Sequence, residues 1–296
     1  MSLRLRSTKI QTLTQPMTRA LPRASLYSAS LVRFLTENAL LAPARPSEDV
    51  GQKLGDWLDF RQAIALHSVL NPETSDAPTA SLPAHVQRMA LIAPKVLAQH
   101  VDKVRAQLVE SITQGAPAGS GLTRIDMPAP VLDEPVEIKT AFEPYRRFVA
   151  AHQRQMESTL RSLRAQLRLQ LSQRASAGQP LAALDGAFEN ILAEREAALL
   201  AKTSKLLEKR FVQALKAHML AQTQPATLIT EITDATVDAT DASDPNPNNT
   251  PKSDPSIWLM PLRQTIRQAL LAELDTRLQP ALGLLEALTS FATPEQ

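Results

Sequence analysis

The sequence predicts an all-α protein, and three observations carry that prediction. The 296 residues hold only 8 Gly against 22 Pro, aromatic residues make up 4%, and the apolar positions recur at helical rather than strand spacing. Leu, Ala, Gln, Glu and Arg fill the segments between prolines, and these are residues that lose little side-chain freedom in a helix. Sheets draw instead on aromatic and β-branched side chains.

The elements follow in chain order. The first 36 residues contain no acid and carry Arg4, Arg6, Lys9, Arg19, Arg23 and Arg33. That composition mimics a transit peptide, but it lacks the apolar stretch of a secretory signal, so export is not expected and 1–27 is read as a disordered basic arm. A first helix is predicted over Ser28 to Asn38, with Leu31, Val32, Phe34 and Leu35 apolar, before Pro43 and Pro46 break it. Ser47 has the chemistry of an N-cap, followed by Glu48 and Asp49 where the helix dipole favours anions. That helix is predicted to reach Asn71 through Leu54, Trp57, Leu58 and Ile64.

Ser81 with Pro83 just inside predicts the next helix, striped by Val86, Met89, Ala93, Leu97, Val101, Val104 and Leu108, with a kink or break at Pro94. These helices form a small N-terminal domain over 28–114. Gly, Pro and Ser then predict an exposed linker over 115–142.

The clearest unit is 143–221. Val149, Met156, Leu160, Leu163, Leu167 and Leu171 make a near-heptad seam on a helix begun by Pro144 and ended near Gly178. A second helix, Leu181 to Leu220, carries Leu184, Phe188, Ile191, Leu199, Leu206, Phe211 and Leu215, and the short connection makes the two an antiparallel hairpin. Such seams can also pair between chains as a coiled coil. Six acids against Lys252 then predict an acidic disordered tether over 222–255. A last helix over 256–290, with Trp258, Leu262, Ile266, Leu270, Leu274 and Leu278, is expected to bend at Pro280 and Gly283 and to dock on the hairpin.

The chemistry-bearing motifs are sparse. Cysteine is absent, which removes thiol catalysis, thiolate metal sites and disulfides, and fits a reducing compartment. GAPAGSG at 115–121 lacks the Lys and Ser or Thr of a phosphate loop, so it reads as part of the linker. His67, His85, His100, His152 and His218 show no i, i+4 pair for a metal, and they read as surface or half-buried residues. No catalytic, cofactor or metal residues are assigned, and no cofactor is expected. With a net charge of +2 the whole molecule has no bias toward polyanions, and no apolar run is long enough to span a bilayer.

One pattern is sharper. Arg147, Arg154, Arg161 and Arg168 recur every seven residues with Arg164 beside them, a ridge about 30 Å long. It can contact phosphates, an acidic partner helix or an anionic membrane. It can equally be neutralised within the chain, because the facing helix begins with Asp185, Glu189, Glu194 and Glu196. These five arginines, with Trp57 and Trp258, are the candidate interaction residues.

The blocks LGDWLDFRQAIAL (54–66), LAALD (181–185), EREAALL (194–200), LLEKRF (206–211) and LLAELDTRLQPALGLLEAL (270–288) resemble a proteobacterial family of unknown function. The likeness spans most of the chain outside the basic arm and the acidic tether. Phe60 stands where many such relatives have Trp. The resemblance implies a bacterial cytoplasmic protein, an accessory to an envelope assembly, since similar proteins are encoded beside membrane proteins with stator-like or peptidoglycan-binding domains. It implies no functional residues. The expected function is therefore a non-enzymatic helical interaction or scaffold protein, with nucleic-acid binding by the arginine ridge, or an enzyme without a local motif, as alternatives.

Overall fold

The computed structural model describes residues 29–42, 55–71, 91–130, 137–174, 176–223 and 257–291. Among them the chain forms α1 (Ser30–Glu37), α2 (Phe60–Leu70), α3 (Pro94–Thr113), α4 (Glu143–Arg174), α5 (Gly178–Thr223) and α6 (Leu259–Ser290), and no strand. The fold is all-α. The basic arm, Ser47, Ser81 to Met89, His85 and nearly all of the acidic segment lie outside the described residues.

Local chemistry moves two helix starts from where the stripes place them. The pattern predicts one helix from Ser47 to Asn71, but the structure begins a new one at Phe60. The Asp59 carboxylate accepts from the Gln62 N–H at 2.7 Å, and the Gln62 side chain accepts from the Asp59 N–H at 3.0 Å, a reciprocal cap that satisfies two orphan donors. At Pro94, where a kink or break is expected, the structure has a break: residues 91–93 are not helical and Pro94 opens α3 at its first turn, where its missing N–H costs nothing.

Four helices make the body. Arg146 pairs with Glu208 at 2.6 Å and Arg164 with Asp185 at 2.8 Å, which fixes α4 and α5 as antiparallel neighbours. The amide of Gln153 reaches Glu273 at 2.9 Å, while Tyr145 lies within the field of Arg263, so α6 runs parallel to α4. Gln155 donates to Ser111 and the Ile92 N–H donates to Gln170, so α3 runs antiparallel to α4. The C-terminal helix thus docks along the hairpin and continues unbroken in secondary structure through Pro280.

One hydrophobic cluster joins Leu97, Val101 and Leu108 of α3, the α4 seam, Leu207, Phe211 and Leu215 of α5, and Ile266, Leu270, Leu274 and Leu288 of α6. Phe142, Tyr145 and Phe211 pack as an aromatic knot with ring centroids 5.3 to 6.1 Å apart. Each fully buried leucine of such a cluster contributes on the order of 2 kcal/mol. The seam residues Met156, Leu160, Leu163, Leu167 and Leu171 are all buried within the chain, so they have no open edge left for a second copy. The connection from Gly115 to Pro130 is also less exposed than its composition suggests. Leu122, Ile125 and Met127 pack against the same core, while Gly119 and Gly121 take the left-handed backbone that lets it turn back.

On α5 the buried line is one residue away from the expected one at two places. Leu200 and Leu207 face inward, while Leu199 is exposed and Leu206 packs only partly, against the small cluster that α1 makes with Leu31 and Leu35. Both sites are leucine doublets, and only the i, i+4 line through Leu207, Phe211 and Leu215 stays on one face.

The hairpin turn has a close approach at its start. A Cβ on Gly178 would stand 2.5 Å from the carbonyl oxygen of Leu171. Gly178→Ala is expected to lower stability by about 1–3 kcal/mol, read as a lower urea midpoint, because backbone rather than a flexible side chain must yield. An unchanged midpoint would mean that the turn has room.

Candidate functional site

The arginine ridge on α4 is divided by its surroundings. Arg164 meets Asp185 at 2.8 Å and Glu189 at 3.7 Å, and Arg168 meets the same two carboxylates at 2.8 and 2.5 Å. Only 13% and 18% of these two side chains are exposed, so both charges are matched inside the hairpin. Burial works against the Arg168 charge, but its hydrogen bonds to Asp185 and Glu189 outweigh that and raise its pKa. Arg161 reaches Glu157 at 2.8 Å and Glu189 at 4.0 Å from a more exposed position. Arg147 bonds Glu143 one turn back at 3.1 Å and faces solvent. Arg154 is exposed.

Arg164 and Arg168 so placed pair α4 with α5. Removing one partner of the inner group leaves a half-buried cation short of a counter-charge. Asp185→Asn is expected to cost about 1–3 kcal/mol in urea unfolding, against less than about 0.5 kcal/mol for Arg154→Gln. Equal effects would contradict the division of the ridge.

A second polar group lies between α4, α5 and α6. Glu273 is fully buried, bonded to Arg277 at 2.9 Å and to Gln153 at 2.9 Å, and Arg277 also reaches Glu196 at 3.3 Å. Desolvation raises the Glu273 pKa, with Arg277 and Gln153 pulling it back. A cavity of about 50 Å³ beside it is lined by Glu157, Arg161, Arg164, Glu189, Glu196 and Arg277. That volume holds a water or two, not a metabolite, and its arginines and glutamates already face each other.

The other candidates sit as follows. Arg195 lies 5.7 Å over the Trp57 ring, a cation–π contact that ties α5 to the segment before α2. Trp258 stacks on His218 at 5.0 Å and packs on Phe211 at 5.9 Å, closing one end of the bundle. Both tryptophans thus have partners within the chain. His152, expected at or near the surface, is 1% exposed instead, edge-on to Phe148 at 4.5 Å. Burial lowers its pKa to about 4, so it is neutral at pH 7. His67 and His100 are exposed. Among the described residues no three His, Asp or Glu side chains are grouped to hold a metal, and no helix is long and apolar enough to cross a membrane.

Two surface features lie outside the apolar stripes. No residue of α2 is fully buried. It turns Leu66 and Val69 partly inward and shows Phe60 and Ile64, one turn apart, on the opposite side at 80% and 53% exposure. The second is a basic repeat on α5, Arg195, Lys202, Lys209 and Lys216, every seven residues and exposed throughout. Its signal was in the spacing, one helix after the arginine ridge that shares the period.

Comparison of the chain with known proteins finds one family. Residues 17–290 match the family described as protein of unknown function (DUF3348), and the chain belongs to it. No curated protein and no solved structure matches the chain.

Proposed function

We propose that this chain, as a member of a family without an assigned activity, is a non-enzymatic helical interaction protein. Its bundle is a rigid support, and its outer helices meet a protein partner. The observation that carries this reading is α2: a helix with apolar side chains on two opposite faces, one laid on α5 and the other, Phe60 and Ile64, open. Exposed aromatic and branched residues side by side are what a protein interface buries first. A cytoplasmic location and service to a bacterial envelope assembly accord with the resemblance of the helical blocks. Nucleic-acid binding by the arginine ridge is disfavoured, since Arg161, Arg164 and Arg168 already hold carboxylates of their own chain.

A photo-crosslinking residue at position 64, in the full-length protein at its natural level, tests the reading. One discrete protein adduct is expected, and it should vanish in a Phe60→Glu variant whose melting temperature is unchanged. A protein that forms no adduct there and remains monomeric in light scattering overturns the assignment.

A further inference from the structure

The basic repeat on α5 differs in kind from the one on α4. At 100° per residue, Lys202, Lys205, Lys209 and Lys216 fall within roughly 60° of one another, opposite the buried line of Leu200, Leu207, Phe211 and Leu215. From Lys202 to Lys216 the row is roughly 21 Å long. Of the acids on the same helix, Glu196 is committed to Arg277 and Glu208 to Arg146. Among the described residues no carboxylate forms an ion pair with any of these four lysines. On α4 the chain sets Asp185 and Glu189 against Arg161, Arg164 and Arg168; on this face of α5, among the described residues, it sets no carboxylate against the lysines. Like charges about one helical turn apart repel, so the row lowers its energy when an anionic surface lies along it.

We propose that the solvent face of α5 from Leu199 to Lys216 docks an acidic α-helix of another protein, a surface separate from α2 that rests on the same reading of the chain as an interaction protein. The period selects a helix. Charges about 10.5 Å apart along a straight axis match another helix carrying Glu or Asp every seventh residue, as the outer positions of paired helices do. Leu199, 46% exposed at the edge of the row, supplies apolar contact for such a partner. A phosphate backbone has no repeat at that spacing, and the face offers no aromatic ring on which a base would stack.

The test uses the full chain and a labelled synthetic helical peptide about four heptads long, with Glu at every seventh position and one turn away from it. A peptide of the same composition in scrambled order and a short DNA duplex serve as comparisons. Fluorescence anisotropy is expected to show binding at about 50 mM salt that weakens about tenfold by about 200 mM. The triple variant Lys202→Glu, Lys209→Glu, Lys216→Glu should lose binding at least about tenfold with its helical signal intact, and the scrambled peptide should bind several-fold more weakly. No peptide binding at low salt, equal binding of the scrambled peptide, tighter binding of DNA, or indifference to the triple variant would each overturn the proposal. Because the adduct at position 64 is read separately, its persistence would show that only the α5 assignment had failed.

Discussion

Truncating Leu167 to alanine is expected to destabilise the protein by about 2–5 kcal/mol, among the largest effects of any single substitution in the chain. Leu167 is fully buried at the centre of the α4 seam, within the cluster that also holds Leu207 of α5 and Leu274 of α6. Helices held from several sides cannot close over the space of a lost isobutyl group, so the lost transfer energy is joined by that of a cavity. Leu199→Ala provides the contrast. It removes the same atoms from the exposed face of α5 and should shift stability by less than about 0.5 kcal/mol. Urea unfolding of the two variants measures both. A Leu167→Ala effect as small as that of Leu199→Ala would mean that the seam is not packed as described.

The second large effect is on acid stability and follows from His152. Its folded-state pKa, lowered from 6.5 to about 4 by burial, means that the folded protein refuses a proton which the unfolded chain accepts. Above about pH 6.5 neither state is protonated there and nothing is lost. As the pH falls from about 6.5 toward 4 the unfolded state gains the proton first, and stability drops by up to about 1.4 kcal/mol per pH unit, on the order of 3 kcal/mol in all. Glu273 acts in the opposite sense. Its pKa is raised by burial, so the folded state takes up a proton ahead of the unfolded chain as the pH falls, which favours folding on acidification. The His152→Leu variant, which keeps an apolar side chain against Phe148, should unfold with a much flatter dependence between pH 6.5 and 4. An unchanged slope would move the acid sensitivity to other groups.

Much of this architecture is readable in the order of residues, and the reasons are local. The α4 seam is legible because Met156, Leu160, Leu163, Leu167 and Leu171 sit between polar neighbours, leaving one way to bury them. The doublets Leu199-Leu200 and Leu206-Leu207 leave the phase of α5 open by one residue, and only tertiary contact decides it, with α1 at Leu200 and with the main core at Leu207. The start of α2 is missed because Ser47 and Asp59 both have cap chemistry, and the stripe runs through Asp59 without a visible break. His152 is misplaced because a lone histidine beside apolar Phe148 and Val149 carries no local sign of burial, which comes only from tertiary packing. Opposite fates for two basic heptads are likewise invisible in either one alone. Arg161, Arg164 and Arg168 of α4 happen to face the acidic start of α5, whereas the lysines of α5 are exposed and meet no carboxylate among the described residues.

Hydrogen exchange at the α4 amides between Met156 and Leu171, followed while the protein is diluted about a hundredfold, tests most directly the claim that the seam closes within a single chain. Strong protection that does not change with concentration is expected, because Leu160, Leu163 and Leu167 are buried in one cluster with residues of α5 and α6 of their own molecule. Protection that collapses on dilution would show that a second copy supplies the cover, and would contradict that claim.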